Sequence, residues 1–169
     1  MSDLMGLGAA RWLNALRLTR LGSLLVMVGS WYFYLRGNDQ ESSAIFRAGG
    51  DAGLWGVGII FITAALVPGF ILISLSLIRP WTRFGAVTAI IAGCLSVLLT
   101  AWLAPSLYPP EKVTDDGFVL NPDRWEQVAQ SYLACVVLLG VAGLLALLGG
   151  FATVRLRSAV HAASDNQTG

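Results

Sequence analysis

Charged positions along this chain are confined to short pieces between long apolar blocks. Four stretches carry no charged side chain at all: Leu21–Leu35, Ala52–Ile78, Phe84–Pro110 and Gln127–Val154. The last three each exceed the roughly 20 apolar residues that an α-helix needs to cross a hydrocarbon core about 30 Å thick. A bilayer supplies no hydrogen bonds, so a crossing segment must satisfy its backbone internally, which a helix does. The pattern predicts an all-α membrane protein with four transmembrane helices at about 13–35, 54–78, 84–104 and 131–154. These spans and their loops use up residues 1–169 as a single membrane domain.

The first and last spans need their flanks. Leu21–Leu35 is 15 residues long, only ~22 Å of helix at 1.5 Å per residue. Extending it back to Leu13 gives enough length and places Arg17 and Arg20 in its first turns, where long stems snorkel toward the headgroups. Upstream, Met5, Ala9, Trp12, Leu13 and Leu16 recur at helical spacing opposite Arg11, Asn14 and Arg17, which predicts a short N-terminal helix lying in the interface. The run ends in Trp31-Tyr32-Phe33-Tyr34 without a small-x-small cleavage site, so an uncleaved signal anchor is expected. At the other end, Asn121 suits an N-cap, Pro122 the first helical position, and Asp123 and Glu126 the positive end of the dipole. Trp125, Val128, Ala129 and Tyr132 continue as an apolar stripe, so one long helix should run from Pro122 to about Arg157. Residues 105–121, with Pro109-Pro110 and Asp116-Gly117, read as an outer acidic, proline-rich loop, and 158–169 as a polar, frayed cytoplasmic tail.

Charge then orients the spans. Arg11, Arg17, Arg20, Arg79, Arg83, Arg155 and Arg157 all fall on one side; with Asp3 and Asp165 that side carries +5, while the other carries −4. Bases beside short connections mark the cytoplasmic face, so both termini are expected in the cytoplasm, across a plasma (inner) membrane. Arginine outnumbers lysine ten to one, a bias expected of a GC-rich bacterial genome. A net charge of +1 offers nothing for nucleic acid.

Packing signals are the clearest functional hints. Gly85, Ala89 and Gly93 recur every four residues, and Gly140, Gly143, Ala146 and Gly150 fall largely on one side of the last span. Small residues let helix backbones approach closely in lipid, where apolar side chains gain nothing by leaving their surroundings. Pro68-Gly69 predicts a kink in the second span. Trp12, Trp31, Trp55, Trp81, Trp102 and Trp125 are placed as interface anchors, six against the two membrane faces.

Catalytic signatures do not emerge. His161 is the sole histidine, so a haem held by two histidines of this chain is excluded. Cys94 and Cys135 differ in depth by ~9 Å at 1.5 Å per residue, which disfavours a disulfide. Glu111, Asp115, Asp116 and Asp123 match no calcium loop, and there is no phosphate-binding glycine loop or Ser/His/Asp grouping. No metal, cofactor or catalytic residue is expected. Trp31 with Gly53-Leu54-Trp55 is similar in layout to claudin-like tetraspans, but the outer cysteine pair is missing and the first loop is too short for their sheet. The chain is therefore not assigned there. The composition fits a non-catalytic accessory or assembly subunit of a larger membrane complex, respiratory or transport, in contact with membrane lipids and other integral subunits. A self-associating carrier or channel for a neutral or lipid-like solute is the alternative.

Overall fold

The computed structural model describes the backbone of residues 2–47, 55–107 and 122–168, with side chains at 11–47, 59–105 and 125–160. Among these residues there are four helices and no strand: α1 (Ser2–Arg47), α2 (Trp55–Ile78), α3 (Arg83–Leu107) and α4 (Pro122–Thr168). Ile59–Ile78 of α2, Arg83–Pro105 of α3 and Trp125–Val160 of α4 are each long and apolar enough to cross a membrane. Of the loop expected at 105–121, residues 105–107 instead continue α3, and 108–121 lie outside the described residues.

Two boundaries differ from expectation. The separate N-terminal interfacial helix does not exist as such, because α1 is one helix of 46 residues that runs through Leu13 into the uncharged run Leu21–Leu35. Residues 9–21 contain neither proline nor glycine, so nothing stops the helix there. Likewise α4 is helical for 47 residues, through the tail expected to fray. Each long helix measures about 70 Å at 1.5 Å per residue.

The helices form a ring, α1 beside α2, α2 beside α3, α3 beside α4 and α4 beside α1. Neighbours are antiparallel: Arg20, Ser30 and Glu41 of α1 meet Thr153, Cys135 and Tyr132 of α4 in reverse order. Buried positions on α1 include a line at 16, 20, 23, 27, 30, 34, 37, 41 and 44, with 38 and 45 beside it. On α4 they include a line at 128, 132, 135, 139, 142, 146, 149 and 153, with 129, 131, 143 and 150 beside it. That alternation of three and four is a heptad seam, which stays face to face when helices wind gently left-handed. The seam mixes the larger Met27 and Leu139 with small residues such as Ser23, Ser30, Ala142 and Ala146.

The short α2–α3 connection is closed by Thr82. Its hydroxyl accepts the Gly85 N–H at 3.0 Å and donates to the Arg79 carbonyl at 2.9 Å, capping α3. Gly85 lies so close under the Arg79 carbonyl that a Cβ would overlap it, so this turn requires glycine.

Candidate functional site

The two charged side chains buried among the described residues, Arg20 and Glu41, lie at opposite ends of the bundle. They are 21 residues apart on α1, or ~32 Å, close to the thickness of a hydrocarbon core.

At the Arg20 end, the guanidinium does not snorkel. It is fully buried, with Nη1 donating to the Ser76 carbonyl at 2.6 Å and Nη2 to Thr153 Oγ1 at 2.8 Å. Arg17, one turn earlier, is exposed. Ser76 lies in the last turn of α2, whose carbonyls have no partner within the helix, so Arg20 places a cation where the dipole favours one. Its stem lies against Gly149, and Gly85 adjoins Nη1. From α4, Arg157 Nη1 donates to the Trp81 carbonyl at 3.1 Å. Arginines from α1 and α4 thus hold the α2–α3 hairpin. The physical reason Arg20 turns inward is spacing: it falls on the seam of α1, and the small residues Gly85 and Gly149 leave room for it.

At the Glu41 end, the Tyr132 hydroxyl donates to Glu41 Oε2 at 2.5 Å across the α1–α4 contact. The tyrosine ring lies over Gly37, where a Cβ would come within 2.6 Å of Cε1, and beside Tyr34 at a centroid distance of 6.2 Å. Ser131 Oγ donates to Gln40 Oε1 at 2.8 Å, and Trp125 packs on Ala44 and Ile45. Glu41 lies six residues beyond the predicted end of the first span at 35. Burial pushes its carboxyl above the ordinary carboxylate range, and the Tyr132 hydrogen bond offsets part of that rise.

This shift sets a pH dependence. A carboxyl whose folded value is raised holds its proton more tightly folded than unfolded. Its contribution is fully present below the unfolded value and is lost as pH rises through the raised one. Thermal melting in detergent should therefore show the α1–α4 contact weakening upward through that window. Glu41→Gln should flatten the profile. A wild type that gains stability across the same rise would contradict the assignment.

Between the ends, Ser23 donates to the Ala142 carbonyl at 2.7 Å and Ser30 to the Cys135 carbonyl at 2.8 Å, stitching α1 to α4. Within the bundle, Gly69 sits against Met27 and near Ser96, whereas Pro68 is exposed. Beside them is a cavity of about 10 Å³, room for roughly one water. Gly93 faces α4, where a Cβ would lie 2.8 Å from the Gly143 carbonyl and 2.6 Å from Leu147 Cγ. Gly143 reciprocally meets Val97, Gly93 and Ser96, and Gly140 meets Thr100. The expected strip of Gly85, Ala89 and Gly93 is divided: Gly85 serves the turn and Arg20, Gly93 serves α4, and Ala89 is buried.

The tryptophans are in mixed settings. Trp12 and Trp102 are exposed. Trp31 is half-buried between helices and donates from Nε1 to Thr63 Oγ1 at 3.3 Å. Trp81 is half-buried in the α2–α3 turn and Trp125 at the Glu41 end, while the Trp55 side chain is outside the described residues. Cys94 is exposed, Cys135 is buried and both are free thiols. Among the described residues no group of three or more His, Cys, Asp or Glu could hold a metal.

Sequence reasoning passed over Arg20, Glu41 and Tyr132 as partners. The available signal was the heptad phase, which carries Arg20, Ser23, Ser30, Gly37 and Glu41 on one line of α1. No protein-family model, curated protein or solved structure matches this chain.

Proposed function

We propose that this chain is a non-catalytic accessory or assembly subunit of a larger membrane complex of respiratory or transport type. It crosses the bacterial inner membrane four times with both termini in the cytoplasm. The observation that carries this reading is how the buried polar groups are used. Ser23, Ser30 and Arg20 reach backbone carbonyls of neighbouring helices, and Ser96 and Thr153 reach carbonyls of their own. Such bonds fix one packing of the bundle and direct its chemistry toward holding helices together. Antiparallel pairing with α4 supports α1 as the fourth span, since Ser23 and Ser30 bind α4 within the Trp125–Val160 apolar segment. The excess of arginines at the Arg20 end supports a cytoplasmic assignment of that end.

The alternative is a self-associating carrier for a neutral or lipid-like solute. The cavity beside Gly69, the residue after Pro68 in α2, is the feature in its favour. Native purification from the source cell without overexpression separates the two readings. A stoichiometric set of larger membrane partners is expected, and a homo-oligomer alone would reject the accessory role in favour of the carrier. In the same cells, an impermeant thiol reagent should label Asp116→Cys and spare Asp165→Cys, with Cys94 and Cys135 replaced. The reverse pattern would refute the topology.

A further inference from the structure

Arg20 defines a level across the bundle, joining Ser76 of α2 and Thr153 of α4 and adjoining Gly85 of α3. By helical rise, Arg17, Arg83, Arg155 and Arg157 all lie within about 6 Å of that level toward the same end, and Arg79 lies in the adjoining turn. Arg17, Arg79, Arg83 and Arg155 are exposed. The sequence places no acidic residue between Asp3 and Asp39, between Asp51 and Glu111, or between Glu126 and Asp165, so no carboxylate from these stretches enters the belt.

The belt is densest at the mouth of the α3–α4 seam. Ile90 touches Gly150 and Val97 touches Gly143, so these residues mark the facing stripes of the two helices. Arg83 continues the α3 stripe seven residues before Ile90. On α4, Arg157 continues the Gly143–Gly150 stripe and donates to the Trp81 carbonyl, while Arg155 lies off that stripe, exposed, four residues after Phe151. The glycines bring the two helix backbones together, so Arg83 and Arg155, each two residues beyond the Arg20 level on its own helix, are exposed cations at one level on adjacent helices. Directly on the apolar side, Phe84 (57%), Phe151 (55%) and Val154 (46%) are exposed. Cations against an apolar wall fit a molecule with an anionic head and a hydrocarbon body.

We propose that the mouth of the α3–α4 seam binds an anionic phospholipid, its phosphodiester held by Arg83 and Arg155 and its acyl chains lying along Phe84, Phe151 and Val154. This needs a membrane setting but not membership of a larger complex, so it stands or falls apart from the accessory role. A soluble phosphate ester would use the cations and leave the apolar wall uncovered, which is why the lipid is the occupant.

Native mass spectrometry of the full chain, offered equal phosphatidylglycerol and phosphatidylcholine in detergent, tests it. Wild type should retain phosphatidylglycerol preferentially. Arg83→Gln and Arg155→Gln should each lower that preference roughly fivefold, and the pair about 25-fold, as expected for a base near an anionic surface. Arg47→Gln changes net charge equally at the Glu41 end, where Arg47 is exposed, and should change nothing. Excess glycerol phosphate should not displace the lipid. If the double variant melts lower than wild type, salt titration of wild type replaces it, and added salt should release phosphatidylglycerol selectively. Equal retention of both lipids, an equal loss in Arg47→Gln, displacement by glycerol phosphate, or indifference to salt would each overturn the proposal.

Discussion

Gly93→Leu is expected to force α3 away from α4 and to destabilise the bundle by about 3 kcal/mol, the upper part of the range for overpacking. The obstacle decides the magnitude. A Cβ at Gly93 would meet the Gly143 carbonyl and the Leu147 backbone nitrogen, at 2.8 and 2.9 Å, and backbone atoms of α4 cannot rotate away as a side-chain tip can. The neighbouring Cys94 is exposed, so Cys94→Leu adds comparable bulk in the same turn without meeting α4 and should change stability by less than about 0.5 kcal/mol. Detergent melting and native gel mobility of both variants provide the comparison. Equal tolerance would remove Gly93 from the α3–α4 contact.

Arg20→Ala is expected to cost a similar amount, about 3 kcal/mol, through a different cause. It leaves the buried Ser76 carbonyl without its donor, at roughly 1–3 kcal/mol, and opens a cavity where the stem lay against Gly149. Thr153 loses less, because its hydroxyl also donates to the Gly149 carbonyl at 2.8 Å. Burying a guanidinium is itself costly, but the carbonyl end of α2 offsets that cost, so little is recovered on removing the charge. Arg20→Lys keeps the stem, the charge and one donor, and should fall between wild type and alanine. Melting measures the loss, and tryptic cleavage after Arg83 reports release of the α2–α3 hairpin. An alanine variant that melts like wild type with an uncut hairpin would show that Arg20 does not hold these helices.

Hydropathy alone announced helices from α2 to α4, because in lipid an apolar run has one way to satisfy its backbone. Pro122, Asp123 and Glu126 announced the long start of α4, since helix-end chemistry is local. The small residues Gly93, Gly140 and Gly143 stood out as well, because close approach of helix backbones requires a missing side chain whichever helix lies opposite. What the sequence could not say was which neighbour each feature meets. Gly85 and Gly93 repeat at one spacing, yet one accommodates a turn carbonyl and the other a helix. Arg20 and Arg17 look alike in sequence, yet only Arg20 falls on the seam and finds Ser76 and Thr153. Glu41 joins Tyr132 across 91 positions of sequence. Sequence periodicity fixes the face on which a residue lies, whereas its partner depends on the rotation and register of another helix. Those are set by how all four surfaces pack at once, and only the tertiary structure decides them.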